Sequence, residues 1–338
     1  MKRPTDEEQI KSGTLNRRDF LKRVGYASAL ALAAGGLGLA LYDSQGPAPS
    51  EGQKALTGLG DYAIRGLKQA KMAIIRGTDR AVMFEQGVKA LGGMESFIQK
   101  GDRVLVKVNA AFATPASLGA TTHPDLLAAV AGLCFQAGAA QVLVTDNPIN
   151  NPDSCFEITG LAAAARATGA RIIAPRPALF VPVSLPGGKL LQNWPVMAGV
   201  FQGVTRVMVV SPVKDHQRAG ASMTLKNFYG FLGGRRNVFH QDINGIITEL
   251  ALLLKPTLCV LDGTVSMVTN GPTGGSLSDL KDTNTMVISS DPVAADAVGV
   301  ELLGRSLADV PYLRMAEAAG AGQADYHLLN PVMLGTRA

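Results

Sequence analysis

Short apolar runs alternate with helix-like segments along most of this 338-residue chain. The runs are rich in Val, Ile and Leu and show little alternation with polar residues, which is typical of strands covered on both faces. They lie at residues 73–76, 104–108, 141–145, 171–174, 206–210, 258–261 and 285–289. The pattern therefore predicts an α/β fold with a mostly parallel sheet and helices on both faces.

Segments with a helical period near 3.6 residues lie between these runs, at residues 125–136, 162–168, 243–254 and 292–303. Four prolines and a Gly-Gly turn interrupt the rhythm after residue 175. We therefore expect a small antiparallel excursion around residues 176–205. The whole segment 72–338 is predicted to form a single α/β domain, preceded by a linker and lead-in at 43–71, whose Gly- and Pro-rich start indicates flexibility.

The N-terminal leader explains most of the net charge of +5. Residues 1–42 contribute +3, and they place the twin arginines Arg17 and Arg18 ahead of the uncharged stretch 24–42. This arrangement resembles a twin-arginine export signal, which is recognised by a receptor. The segment is therefore predicted to be a signal peptide or, if uncleaved, a membrane anchor, since 19 uncharged residues could span a bilayer.

The predicted destination is the periplasm, with the protein either soluble there or tethered by its uncleaved leader. The translocation machinery would be its first partner. The body carries a net charge of only +2 and no block of basic residues interleaved with aromatics. This composition excludes a nucleic-acid footprint.

Polar and ionisable groups follow several predicted strands, where α/β proteins bind their ligands. Lys107 and Asn109 lie at the end of one strand, Asp146 follows another, and Lys214 and His216 follow a third. Asp262 and Asp291 follow two further predicted strands. We expect all five strand ends to meet at one edge, although a lone aspartate in such a position more often caps a turn or a helix than takes part in catalysis.

Three of the four histidines, His123, His216 and His240, lie in predicted loops near these ends. Acid–base chemistry, metal binding and structural hydrogen bonding all remain open for them. Their spacing matches no short zinc signature, so a metal site would have to be assembled by the fold. His327 is predicted to be structural.

Two glycine-containing stretches could hold an anion. Residues 224–236 combine Lys226 and Asn227 with Arg235, and residues 270–275 include Thr273 and Gly274. Neither matches a phosphate-binding loop, and the second could be a surface turn. Cys134, Cys155 and Cys259 are widely spaced, which makes an iron–sulfur cluster held by this chain alone improbable.

Together these segments resemble the family called domain of unknown function 362, over residues 72–320. The resemblance is carried by the ordered segments 106–109, 121–124, 138–146, 212–216, 224–230, 262–263, 270–274 and 290–296. It implies a shared site of unassigned activity, built from Lys107, Asn109, His123, Lys214, His216, Lys226, Asn227 and Asp296. Some members carry ferredoxin-like cysteine motifs, which this chain lacks.

The leading hypothesis is an exported enzyme that acts on a small carboxylate or phosphate. Its predicted catalytic residues are Lys107, His123, Lys214 and His216. Its predicted substrate-binding residues are Asn109, Lys226, Asn227, Arg235, Thr273 and Gly274. A divalent metal would use His240, Asp262 and Asp296. The alternative is a non-catalytic solute-binding or redox-accessory protein that works beside a cofactor-bearing partner.

Overall fold

The computed structural model describes residues 17–40, 55–66 and 71–335. The chain divides into two compact units, Met1–Gly46 and Pro47–Ala338. In the first, helix α1 spans Arg17–Ala40 and begins at the twin arginines. Within the described ranges, no helix combines the length and apolarity needed to cross a membrane. The polar start of the leader and residues 43–54 and 67–70 of the predicted linker and lead-in lie outside the described residues.

The second unit contains the predicted alternation of strands and helices. Its helices are α2 (Arg80–Ala90), α3 (Pro124–Gln136), α4 (Pro152–Ile158), α5 (Leu161–Thr168), α6 (Thr224–Asn227), α7 (Ile243–Leu253), α8 (Pro292–Leu302) and α9 (Pro311–Ala318). Its strands are β1 (Leu56–Thr57), β2 (Gly60–Asp61), β3 (Met72–Arg76), β4 (Arg103–Lys107), β5 (Gln141–Thr145), β6 (Arg171–Ile173), β7 (Val181–Ser184), β8 (Trp194–Val196), β9 (Arg206–His216), β10 (Gly220–Ser222), β11 (Leu254–Lys255), β12 (Leu258–Met267), β13 (Leu280–Ser289) and β14 (Val332–Leu334).

The main sheet has the strand order β14-β3-β13-β12-β9-β4-β5-β6, with β10 paired to β9. Along this order β13 runs antiparallel to both neighbours, and the other pairings are parallel. The predicted α/β class and the mostly parallel sheet are confirmed. The small excursion is present too, since β7 and β8 pair antiparallel, while β1 adds to β7 in parallel.

Successive strand residues enter two different cores. On β4, Val104 and Val106 pack with α2, α3 and α5, whereas Leu105 packs with α7, α8 and α9. Adjacent strand side chains point to opposite faces of a sheet, so helices cover both faces. This double burial explains why the strands are continuous apolar runs.

One predicted strand end lies at the wrong edge. Cys259, at the start of β12, pairs with Ser289, at the end of β13. Asp291 therefore lies at the edge opposite to the ends of the parallel strands. Its side chain accepts hydrogen bonds from the Val293 and Ala294 amides and so caps α8. The expectation that five strand ends share one edge was wrong for Asp291, because an apolar run does not reveal strand direction.

Candidate functional site

A cavity of about 370 Å³ opens where β4, β5 and β9 end. Its far wall is formed by α6 and by two 3-10 turns, Phe228–Phe231 and Arg236–Asp242. The polar side chains that line it are Asn109, Asp146, Asn147, Lys214, His216, Ser222, Lys226, Asn227, Tyr229, Arg236, Asn237 and His240. The structure thus brings together six of the predicted site residues, namely Asn109, Lys214, His216, Lys226, Asn227 and His240.

A buried ion pair forms the floor of this cavity. Lys107 Nζ lies 2.7 Å from Asp146 Oδ1, and it also donates to Asn227 Oδ1 at 2.9 Å and to the Val108 carbonyl at 2.7 Å. Burial lowers the pKa of Lys107, although the adjacent Asp146 opposes this shift. All three ammonium protons have protein partners, so Lys107 positions neighbouring groups and has no donor left for a ligand.

Asp146 anchors the backbone around the same floor. Its Oδ2 accepts the Ala110 amide at 2.6 Å, and its Oδ1 accepts the Asn147 amide at 2.8 Å. A Cβ atom at Gly230 would clash with Asp146 Oδ1, so only glycine fits against this ion pair. Asp146 therefore ties the end of β5 to the loop after β4.

Two further lysines reach the cavity without a carboxylate partner. Lys214 Nζ donates to the Ala120 carbonyl at 2.5 Å and lies 5.2 Å from the centre of the Phe112 ring. Lys226 Nζ lies 4.3 Å from the centre of the Tyr229 ring. Among the described residues, no hydrogen bond or ion pair to Lys226 is present. Lys226 is thus a buried cation held mainly by an aromatic face.

The pKa values of these two lysines reflect their burial. Desolvation lowers the pKa of Lys214 to about 7, and the nearby Lys226 charge adds to this shift. Desolvation likewise lowers the pKa of Lys226 to about 7, with a contribution from Arg236. Each ammonium would gain from a negatively charged ligand, which would raise its pKa again.

Arg236 completes the positive wall. Its guanidinium donates to the Asn147 and Pro148 carbonyls at 2.8 and 3.1 Å, and more weakly to the Tyr229 and Leu232 carbonyls. The predicted donor was Arg235, but that residue is exposed and does not line the cavity. The structure therefore places the neighbouring arginine there. Carbonyls orient Arg236 without neutralising it.

The histidines separate into two places. The rings of His216 and His240 both line the cavity, with centroids 6.1 Å apart. Burial lowers the pKa of His216 to about 3 and also lowers the pKa of His240. His123 instead lines a separate cavity of about 220 Å³, where its Nδ1 caps α3 by accepting the Asp125 amide. The structure does not bring His123 to His216.

The three predicted metal ligands lie in different surroundings. Asp262 lines the smaller cavity and accepts a hydrogen bond from Arg80 Nε at 2.7 Å. Asp296 is buried beneath α6, where it accepts the Thr224 and Leu225 amides, and His240 lines the larger cavity. The predicted set is therefore not assembled. The part of the chain that the structure describes contains no group of three His, Cys, Asp or Glu side chains placed to hold a metal.

Asp296 has a positioning role instead. Its two carboxylate oxygens hold the first turn of α6, at 2.8 and 2.9 Å from the amides, and this turn carries Lys226 and Asn227. Burial raises the pKa of Asp296 to about 7. Asn227 in turn bridges Lys107 to Ser211 Oγ, to which its amide donates at 3.0 Å.

The second glycine-containing stretch contributes one residue to the lining of the cavity. Pro272 lines the cavity, whereas Thr273 is exposed. Gly274 packs against Met267. Asp215 Oδ2 accepts the Gly271 amide at 2.8 Å, which fixes this loop to the end of β9. The structure thus does not place Thr273 and Gly274 among the lining residues.

Residues 104–301 match the model of a family described as domain of unknown function (DUF362). The match covers more than half of the 338 residues. The chain belongs to the DUF362 family. The matched region contains every residue that lines the larger cavity.

Two individual proteins are similar to this DUF362 protein. A thylakoid-associated protein of Synechocystis sp. is 25% identical over 253 residues, which cover 72% of this chain and 76% of that relative. A crystal structure of a Thermotoga maritima protein aligns at 9% identity with a TM-score of 0.35. That alignment covers 72% of this chain and 60% of the solved chain.

Six polar residues that line the cavity had no predicted site role, namely Asp146, Asn147, Ser222, Tyr229, Arg236 and Asn237. A signal existed for Asp146 and Asn147, since both follow β5 directly. Tyr229 and Arg236 carry no such signal. They reach the cavity because the chain folds back over the sheet edge after α6.

Proposed function

We propose that the larger cavity binds a small anion, a carboxylate or a phosphate, and that the protein is an enzyme acting on it. One observation carries this proposal. Lys226 is buried and lacks any hydrogen-bond or ion-pair partner among the described residues. Desolvation without a counter-charge disfavours the ammonium form of Lys226, so an anion bound in the cavity would stabilise that form.

The surroundings of Lys226 support the same ligand class. Lys214 and Arg236 line the same cavity, and each donates hydrogen bonds to backbone carbonyls. Among the described residues, Asp146 is the one carboxylate that lines the cavity, and Lys107 neutralises it. The cavity is thus positively charged. A volume of about 370 Å³ suits a small molecule. Such a cationic donor set disfavours a divalent cation bound directly by the protein.

Two histidine rings next to these cations supply groups for proton transfer. This distinguishes the proposed enzyme from the alternative, a solute-binding or redox-accessory protein. Calorimetric titration with inorganic phosphate and then with succinate tests the proposal and selects the anion class. We expect one site per chain. No binding of either anion at millimolar concentration would contradict the proposal, and binding of metabolite anions without chemical change, followed by NMR, would favour the alternative.

We also propose that the protein is exported through the twin-arginine machinery. The support is the Arg17–Arg18 pair at the first turn of α1, followed by an uncharged helical stretch. The name of the Synechocystis relative, a thylakoid-associated protein, describes association with a membrane system and is consistent with this proposal. The proposed destination is the periplasm, with the body free or tethered by its leader.

A further inference from the structure

The backbone fixes the protonation state of His216. Its Nδ1 accepts the Ala219 amide at 3.1 Å and the Arg218 amide at 3.3 Å. A backbone N–H can only donate, so Nδ1 must present its lone pair. The neutral ring therefore carries its proton on Nε2, on the side away from this anchor.

The backbone fixes the opposite state for His240. Its Nδ1 lies 3.2 Å from the Asn237 carbonyl oxygen, which can only accept. Nδ1 also lies 3.2 Å from the Tyr229 hydroxyl, whose own proton is donated to the Arg236 carbonyl. Both partners accept, so Nδ1 carries the proton. The neutral ring keeps a lone pair on Nε2.

These two rings line one cavity with Lys226, and they are close to parallel, at 19°. We propose that His216 donates a hydrogen bond from Nε2 to the anionic group of the ligand, while Nε2 of His240 accepts a proton from the ligand. This assignment rests on the proposed function, because it needs an anion in the cavity. It reverses the sequence-based expectation, in which His216 moves protons and His240 binds a metal.

The proposed proton transfer needs only the ligand and side chains that line the cavity. A proton leaves a C–H or O–H bond of the ligand for His240 Nε2, and the electron pair of that bond stays on the ligand. Lys226 and the Nε2 proton of His216 stabilise the negative charge that develops. The imidazolium formed at His240 keeps its Nδ1 hydrogen bonds to Asn237 and Tyr229.

Burial supports neutral rings at physiological pH. The groups that face His240 are Tyr229, Lys226, Arg218, Arg236 and His216, and the nearby cations disfavour a second proton on either ring. A neutral histidine is what both roles require. One ring acts as a hydrogen-bond donor and the other as a base.

Nitrogen-15 NMR of the labelled full-length chain reads each tautomer without a ligand. The four histidine signals are assigned with the variants His216→Gln, His240→Gln and His327→Gln. At pH 7.5 we expect His216 to be protonated on Nε2 and His240 on Nδ1. The same tautomer in both rings, or a proton on Nδ1 of His216, would overturn the assignment whether or not the cavity binds anions.

Phosphate titration then tests the donor. His216→Leu should weaken phosphate binding about tenfold, because it removes a hydrogen bond to a charged group. His216→Gln should stay within about threefold of the wild type, since its amide can replace the Nε2 donor. His327→Gln, outside the cavity, is the matched control. Full phosphate affinity in His216→Leu would overturn the donor role. A wild type that binds neither phosphate nor succinate would refute the proposed function and the donor role with it, whereas the two tautomers are tested by the NMR measurement alone.

Discussion

Lys107 Nζ lies 2.7 Å from Asp146 Oδ1, and neither side chain has appreciable solvent exposure. The pair joins the ends of β4 and β5, and through Asn227 it also holds α6. It is the floor on which the cationic cavity is built. A buried pair of this kind stabilises mainly by keeping each partner compensated.

We expect Lys107→Met to lower the free energy of unfolding by about 3–5 kcal/mol, because Asp146 would be left buried and unpaired. Urea unfolding followed by circular dichroism measures the change. Arg166→Met, which breaks the exposed pair with Glu157, is the matched control and should leave the unfolding midpoint almost unchanged. Equal effects of the two variants would contradict the structural role of the floor.

Asp296→Asn should destabilise the protein by about 1–3 kcal/mol and weaken anion binding. The asparagine has one acceptor oxygen, so either the Thr224 or the Leu225 amide would lose its partner. The measurement combines thermal unfolding with phosphate titration. Unchanged stability together with lost binding would show that Asp296 contacts the ligand directly, which this structure does not support.

Anion affinity should fall as the pH rises above 7. Lys214 and Lys226 each have a pKa of about 7 in the free protein, so the charged form that attracts an anion is lost above that value. Sulfate is the suitable probe, because its own charge is constant in this range. We expect its affinity to fall by about tenfold per pH unit for each lysine that must be protonated. The other ionisable groups that face Lys226 are His216, Tyr229, Arg236 and His240.

A Lys226→Met variant should bind sulfate weakly and show a shallower pH dependence. A flat profile for the wild type between pH 6 and 9 would mean that the lysines do not titrate there. It would also remove the proposed coupling between proton uptake and anion binding.

Replacement of both Arg17 and Arg18 by lysine should block export, because the receptor reads the arginine pair and not the charge. Cell fractionation of the full chain measures this. Arg23→Lys, in the same helix, is the matched control and should be exported like the wild type. Export of the double variant at the normal rate would refute the twin-arginine route.

The strands of the sheet were predictable because burial on both faces leaves a continuous apolar run. All seven predicted strands are present, and six of them start within one residue of the prediction. Three are considerably longer than predicted, since β13 starts five residues early, at Leu280, while β9 continues to His216 and β12 to Met267. These extensions carry buried polar residues such as Lys214, which hydropathy alone cannot assign to a strand. Strand direction was also beyond the pattern, as Asp291 shows.

The candidate site was predictable where polar residues come directly after the apolar run of a parallel strand. Lys214 and His216 reach the cavity for that reason, although the structure includes both in the last residues of β9. The predictions failed where long-range folding decides the outcome. His123 and Asp262 share a different cavity. Arg236 lines the candidate site in place of the predicted Arg235, because the path of the chain after α6 sets which side chain faces inward.

The most direct test of the account is calorimetric phosphate binding to the wild type and to Lys226→Met. The exposed Lys189→Met serves as the control for lost charge. We expect a single site in the wild type and in Lys189→Met, and a loss of affinity of at least tenfold in Lys226→Met, with the fold retained. Equal phosphate affinity in all three proteins would contradict it.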